Sequence, residues 1–109
     1  KKDIFTRYKD KLKNNSKIKI FDIKNGETPW SVDIYLKEVK EVKEVKKMLE
    51  KNNILTRYVY PPLNSQKIYN DFKNLPISNF YCNRGLWLPS SLDLKNKDID
   101  RICSLINKI

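Results

Sequence analysis

The sequence has 109 residues, a net charge of +10, no histidine and two cysteines. Such a length predicts a single domain, residues 1–109, with enough interior to fold without staples. The composition excludes a Ser–His or Cys–His nucleophile pair and a zinc site, and no apolar run approaches the ~20 residues that span a bilayer.

In chain order, Ile4, Tyr8 and Leu12 recur at i, i+4 and i+8, with Phe5 widening the stripe, and predict a helix over 3–13 that Asn14-Asn15-Ser16 ends. Lys17–Lys24 alternates as a strand and runs into Asn25-Gly26, a turn pair that tolerates positive φ. Pro29 opens a second strand, Trp30 to Leu36, whose residues Trp30, Val32, Ile34 and Leu36 form an apolar face. Residues 38–52 repeat Glu-Val-Lys. A three-residue spacing advances about 300° around a helix, so Val39, Val42, Val45 and Leu49 drift along one side with Met48 at its edge. Glu and Lys cover the rest and can pair at i,i+4. Asn52-Asn53 is a left-handed stop.

A third strand, Ile54 to Tyr60, must leave the sheet at Pro61-Pro62. Residues 61–76 read as loop with one short turn around Lys67 to Phe72. Ser78 caps a short helix to Asn83, Gly85 suits the position after its end, and Leu86-Trp87-Leu88 is extended. A last helix over 95–108 buries Ile99, Ile102, Cys103 and Ile106. The expected core is Trp30, Val32, Ile34, Val42, Val45, Leu49, Ile54, Leu88, Ile99, Ile102 and Ile106. Cys82 and Cys103 lie among apolar neighbours and are expected as buried thiols in a reducing compartment. The order of elements predicts an α+β layer with helices covering one face of a small sheet.

With two glycines, Gly26 and Gly85, the chain has neither a phosphate-binding loop nor a dinucleotide fingerprint. Three segments are nonetheless unusual for plain core. Asn53–Asn64 ends a strand with Arg57, Tyr58, Tyr60 and two prolines; Asn83–Ser91 sets Arg84 beside Gly85 and Trp87 between leucines; Thr28–Ile34 starts a strand with Trp30. Arginine pairs with carboxylate or phosphate through a two-pronged fork, and Trp and Tyr give contact area at low entropic cost. Core packing for the tryptophans and surface ion pairs for the arginines are the alternatives.

The positive charge invites a second reading, a stand-alone basic module that binds nucleic acid. Frequent Lys, Asn and Ile with no Ala is also what an A/T-rich genome writes, and the longest basic stretch interleaves Lys with Glu rather than forming a basic face. Steep salt dependence of binding would mark the nucleic-acid reading. A purely structural or dimerisation domain is a third reading.

The runs Ile54-Leu55-Thr56-Arg57, Tyr60-Pro61-Pro62-Leu63, Leu75-Pro76-Ile77-Ser78 and Arg84-Gly85-Leu86-Trp87-Leu88-Pro89-Ser90-Ser91, followed by Leu94 to Ile102, resemble the C-terminal end of the DegT/DnrJ/StrS sugar aminotransferases. The likeness is nearest to the perosamine synthase branch, and residues 1–16 resemble the segment joining that family's two domains. The resemblance implies the small C-terminal domain of a type I, aspartate aminotransferase-like fold, with a small, mainly antiparallel sheet covered by helices. It implies a cytoplasmic homodimer, joined through a large domain outside this sequence. That parent would use pyridoxal phosphate to move an amino group, usually from glutamate, to a nucleotide-linked 4-keto-6-deoxy sugar. The cofactor lysine belongs to the large domain, so this piece alone is expected to hold no cofactor and to be inactive. The substrate-facing residues implied are Arg57, Tyr60, Asn64, Arg84 and Trp87. Where the family often has His, this chain has Asn64, which donates and accepts hydrogen bonds but does not titrate. No membrane or nucleic-acid partner is expected from the resemblance.

Overall fold

The computed structural model describes residues 2–60 and 76–109. Asn64 and the turn expected around Lys67–Phe72 therefore lie outside the described residues. Among the described residues the elements follow in the order α1 (Lys2–Leu12), β1 (Ile18–Lys19), β2 (Val32–Leu36), α2 (Val39–Lys51), β3 (Arg57–Tyr58), α3 (Pro76–Tyr81), β4 (Gly85–Leu88) and α4 (Asn96–Ile106). The strands form one antiparallel sheet in the order β1-β2-β4-β3, which places the late strand β4 in the interior beside β2. The α+β class with an antiparallel sheet stands.

The sheet has two unlike faces because its strands alternate. Val32, Ile34 and Leu36 of β2 and Leu86 and Leu88 of β4 are buried toward the helices. There they join Phe5, Tyr8 and Leu12 of α1, Val42, Val45 and Leu49 of α2, and Ile99, Ile102, Cys103 and Ile106 of α4 in one core. The residues between them, Asp33, Tyr35 and Trp87, lie on the opposite face.

Helix α2 ends as its asparagines predict. Asn53 takes φ 63°. Its N–H donates to Glu50 O at 3.0 Å, and Ile54 N–H reaches back to Leu49 O at 2.9 Å. These are the paired bonds of a left-handed helix stop. They consume Ile54, which explains why the third strand is confined to Arg57–Tyr58 rather than running from Ile54 to Tyr60. Lys46 completes the junction: its Nζ donates to Glu50 Oε1 at 2.7 Å and to Thr56 O at 3.0 Å, and lies 5.5 Å from the Tyr58 ring centre. At α4, the Asp98 carboxylate accepts from the Lys95 backbone N–H at 3.2 Å, satisfying one donor at the helix start.

Five expectations need correction. Trp30 is 68 % exposed rather than core. The sheet register begins only at Val32, so the alternation does not extend back to Trp30, and the indole lands on the outer face. The first strand pairs only at Ile18 and Lys19; beyond them Ile20 and Ile23 pack on the core while Phe21 turns outward to Tyr35 and Tyr81. Ser78 sits inside α3, which starts at Pro76, and is not its cap. Gly85 is the first residue of β4, not a helix stop. A Cβ there would stand 2.7 Å from both Tyr35 Cε1 and Val59 Cγ1, so close packing, not backbone direction, demands the glycine. Cys82 is half-buried, whereas Cys103 is buried as expected, its thiol pushed up to about 11 by burial.

Helices α1 and α4 are clamped at their outer edge. Arg7 donates Nε to Asp100 Oδ1 at 2.9 Å and Nη2 to Asp100 Oδ2 at 2.7 Å. This fork holds the Asp100 carboxyl below the usual carboxylate range. A depressed folded pKa means stability present above about pH 4 and lost as the pH falls through the folded value. The melting temperatures of the native chain and of Asp100→Asn should therefore differ most near neutral pH and converge in acid; a gap that persists unchanged to pH ~2 would show that the pair contributes nothing through charge.

Thr56 carries the opposite lesson. Its hydroxyl is buried and has no hydrogen-bond partner among the described residues. Replacing a buried, unpartnered hydroxyl by a methyl removes a desolvation cost. Thr56→Val should stabilise the fold by about 1 kcal/mol, read as a raised urea midpoint.

Candidate functional site

The outer face of the sheet carries the exposed aromatic residues. Across β2, β4 and β3, the residues Asp33, Trp87 and Arg57 stand in one register row, Asp33 opposite Trp87 and Trp87 opposite Arg57. Trp87 is the hub: Trp30 meets it edge-on at 5.3 Å between ring centres, and Tyr60 does so at 4.7 Å. Edge-to-face contacts of this kind favour a fixed aromatic array over a loose one. They hold Trp30 and Tyr60 in place although both remain largely exposed.

Trp30, Arg57, Tyr60 and Trp87 wall an open groove of about 450 Å³, which also takes in Ser31, Leu55, Thr56, Leu88, Pro89 and Ser90. It sits where β4 ends and β2 and β3 begin. The core fixes its rim from below. Buried Tyr8 donates its hydroxyl to Pro89 O at 2.7 Å, and burial raises that phenol well above its ordinary range.

The groove's polar groups differ in kind. Arg57 is exposed, and among the described residues its guanidinium has no hydrogen bond or ion pair. It offers donors only. On the other side, Ser31 Oγ donates to Asp33 Oδ1 at 2.7 Å. Tyr35 places its hydroxyl 3.5 Å from Asp33 Oδ2 and is pushed up to about 12, first by burial and then by the charge of Asp33. Tyr35 thus stays a neutral phenol.

A second hollow of about 330 Å³ lies beside the groove, lined by Phe21, Tyr35, Val59, Tyr60, Ile77, Tyr81 and Cys82. Tyr60 separates the two. Phe21, Tyr35 and Tyr81 contact one another edge-on at 5.2–5.4 Å, and Lys19 Nζ lies 3.2 Å from the Tyr81 hydroxyl.

Of the residues expected to face substrate, the structure brings Arg57, Tyr60 and Trp87 together in one groove. Arg84 stands at the other end of β4. Its guanidinium donates to Lys37 O at 3.0 Å, Phe80 O at 2.6 Å and Asn83 Oδ1 at 3.0 Å, and stacks 4.0 Å from the Phe80 ring centre. It ties the end of β2 to the end of α3. Sequence reasoning did not single out Ser31 or Asp33. Their signal was an i, i+2 polar pair on the wet side of an alternating strand, directly after a tryptophan.

No group of His, Cys, Asp and Glu among the described residues could hold a metal ion. No helix among them is long and apolar enough to cross a membrane. The groove's lining includes no lysine among the described residues.

The model of the DegT/DnrJ/EryC1/StrS aminotransferase family matches residues 1–107. No curated relative matches the sequence. Among solved structures, the chain is similar to the aminotransferase TlmJ from Streptoalloteichus hindustanus, with a TM-score of 0.85 and 17 % identity over 98 % of this chain and 30 % of that one. A DegT DnrJ EryC1 StrS aminotransferase from Brucella abortus gives a TM-score of 0.83 at 25 % identity, covering 98 % of this chain and 29 % of that one. The PLP form of the putative sugar aminotransferase Spr1654 from Streptococcus pneumoniae gives 0.83 at 21 % identity, with 98 % and 29 % covered. The chain thus spans about 30 % of the length of these relatives.

Proposed function

The chain belongs to the DegT/DnrJ/EryC1/StrS aminotransferase family, and from that premise we propose that it is the small C-terminal domain of a pyridoxal-phosphate enzyme that aminates a nucleotide-linked sugar. The observation that carries this reading is the groove: an indole between two other rings, with an unpaired guanidinium on one side and a hydroxyl–carboxylate pair on the other. Sugars present apolar C–H faces to aromatic rings, and a diphosphate takes the fork of an arginine. In this reading Arg57, Tyr60 and Trp87 form one wall of the substrate site. Arg84 acts at a distance, holding β4 and α3 in place.

Pyridoxal phosphate, where bound, supplies the electron sink for amino transfer. The described groove residues do not fit its attachment, which needs a lysine amine. We assign that lysine to a large domain outside this chain, with residues 1–16 as the joining segment and a homodimer formed through the large domain. The exposed Phe21, Trp30, Tyr60, Ile77 and Phe80 then face the rest of the enzyme rather than water. What these side chains do is bind, orient and keep water from the sugar. Glutamate is the amino donor, the acceptor is a 4-keto-6-deoxy sugar as in perosamine synthesis, and the reaction is cytoplasmic.

The test is amino transfer by the full-length protein. Supplied with glutamate and a GDP- or TDP-linked 4-keto-6-deoxyhexose, it should release 2-oxoglutarate and form the 4-amino sugar nucleotide, both read by mass spectrometry. Turnover of glutamate with simple keto acids but with no sugar nucleotide would overturn the proposal.

A further inference from the structure

The groove is polarised, and its polarity fixes which way a ligand lies. Ser31 lines it, and the Ser31 hydroxyl proton is committed to Asp33 Oδ1 at 2.7 Å. A carboxylate only accepts, so the direction of this bond is unambiguous. Serine has one O–H and two lone pairs; with the proton spent, Ser31 Oγ can only accept from the groove. Among the described residues no basic side chain is paired with Asp33. This side of the groove therefore takes hydroxyl or amine donors and repels phosphate oxygens. Arg57 sits two strands from Asp33 across Trp87, roughly 9–10 Å between backbones by the spacing of neighbouring strands, and Ser31, two residues earlier in the chain, adds a diagonal step to about 12 Å. It offers donors only and takes phosphate. The span is about that of a hexose with its first phosphate.

We infer that Ser31, oriented by Asp33, reads a hydroxyl of the hexose, and that the nucleotide sugar lies with its sugar ring toward Ser31 and its diphosphate toward Arg57. Asp33 is a positioning residue: it does not touch the sugar but decides that Ser31 accepts. The inference rests on the groove being a sugar-nucleotide wall.

The test is calorimetric binding to the full-length, cofactor-loaded protein, using GDP- and TDP-linked 4-keto-6-deoxyhexoses and, separately, GDP and TDP. Ser31→Ala and Asp33→Ala should each weaken the sugar nucleotides by about 3- to 10-fold, the worth of one hydrogen bond. The bare diphosphates should bind as to the native protein. Asp33→Asn, which keeps an accepting oxygen, should recover most of the loss. Where Ser31→Ala does not fold, Ser31→Cys, a poor acceptor of similar shape, gives the same reading. Equal weakening of sugar nucleotides and bare diphosphates, or no weakening of either, overturns the orientation while leaving the groove's function standing. A native protein that binds neither class overturns both.

Discussion

Leu86→Ala should be the most damaging single change in the fold. Leu86 is wholly buried on β4, one of the two interior strands. It pairs with Ile34 on one side and Tyr58 on the other. Its side chain points into the layer between sheet and helices, where Val42, Leu49, Ile99 and Ile106 are also fully covered. Removing a leucine side chain from such a place costs the transfer energy of the lost carbons and leaves a cavity that strands paired on both sides cannot close. The expected loss is about 3–5 kcal/mol. A domain of this size holds about 5–15 kcal/mol in all, so the variant should melt at least ~10 °C lower. A melting point within ~2 °C of the native one would mean that Leu86 does not face the core.

Arg57→Ala should have the largest effect on function and almost none on the fold. Arg57 is exposed and makes no pair among the described residues, so its removal leaves no orphaned partner. Surface changes of that kind stay within about 0.5 kcal/mol. The same residue is the one cation among the described residues lining the groove, placed opposite Trp87. If Arg57 holds the diphosphate as proposed, its loss should lower kcat/KM for the nucleotide sugar by about 10- to 100-fold in the full-length enzyme. Arg57→Lys keeps the charge but not the fork and should recover only part of that.

What could be read from the sequence, and what could not, follows from the range of the interactions. The stripes Val42-Val45-Leu49 and Ile99-Ile102-Cys103-Ile106 are local periodicities, and each faces the core as expected. Asn53 signals its left-handed turn by residue type alone. Strand pairing is long-range. Nothing near Leu86 announces that β4 will lie between β2 and β3, and the pairing, not the alternation, decides where a strand begins. That is why Trp30 left the expected core and β1 and β3 came out short. Gly85 shows the same limit: the reason for it is two side chains remote in sequence, Tyr35 and Val59. The site was half legible. Arg57, Tyr60 and Trp87 were conspicuous by type and do meet, whereas Arg84, equally conspicuous, is engaged with backbone carbonyls, and Ser31 and Asp33 gain meaning only from the hydrogen bond between them.

Whether the open face of the sheet is the sugar-nucleotide wall is tested most directly by calorimetric titration of the full-length protein, native and Arg57→Ala, with a GDP- or TDP-linked 4-keto-6-deoxyhexose. The native protein should bind, and the variant should bind about 10- to 100-fold more weakly with an unchanged melting temperature and unchanged cofactor absorbance. Equal affinity in the two proteins would contradict the assignment of this groove to the substrate.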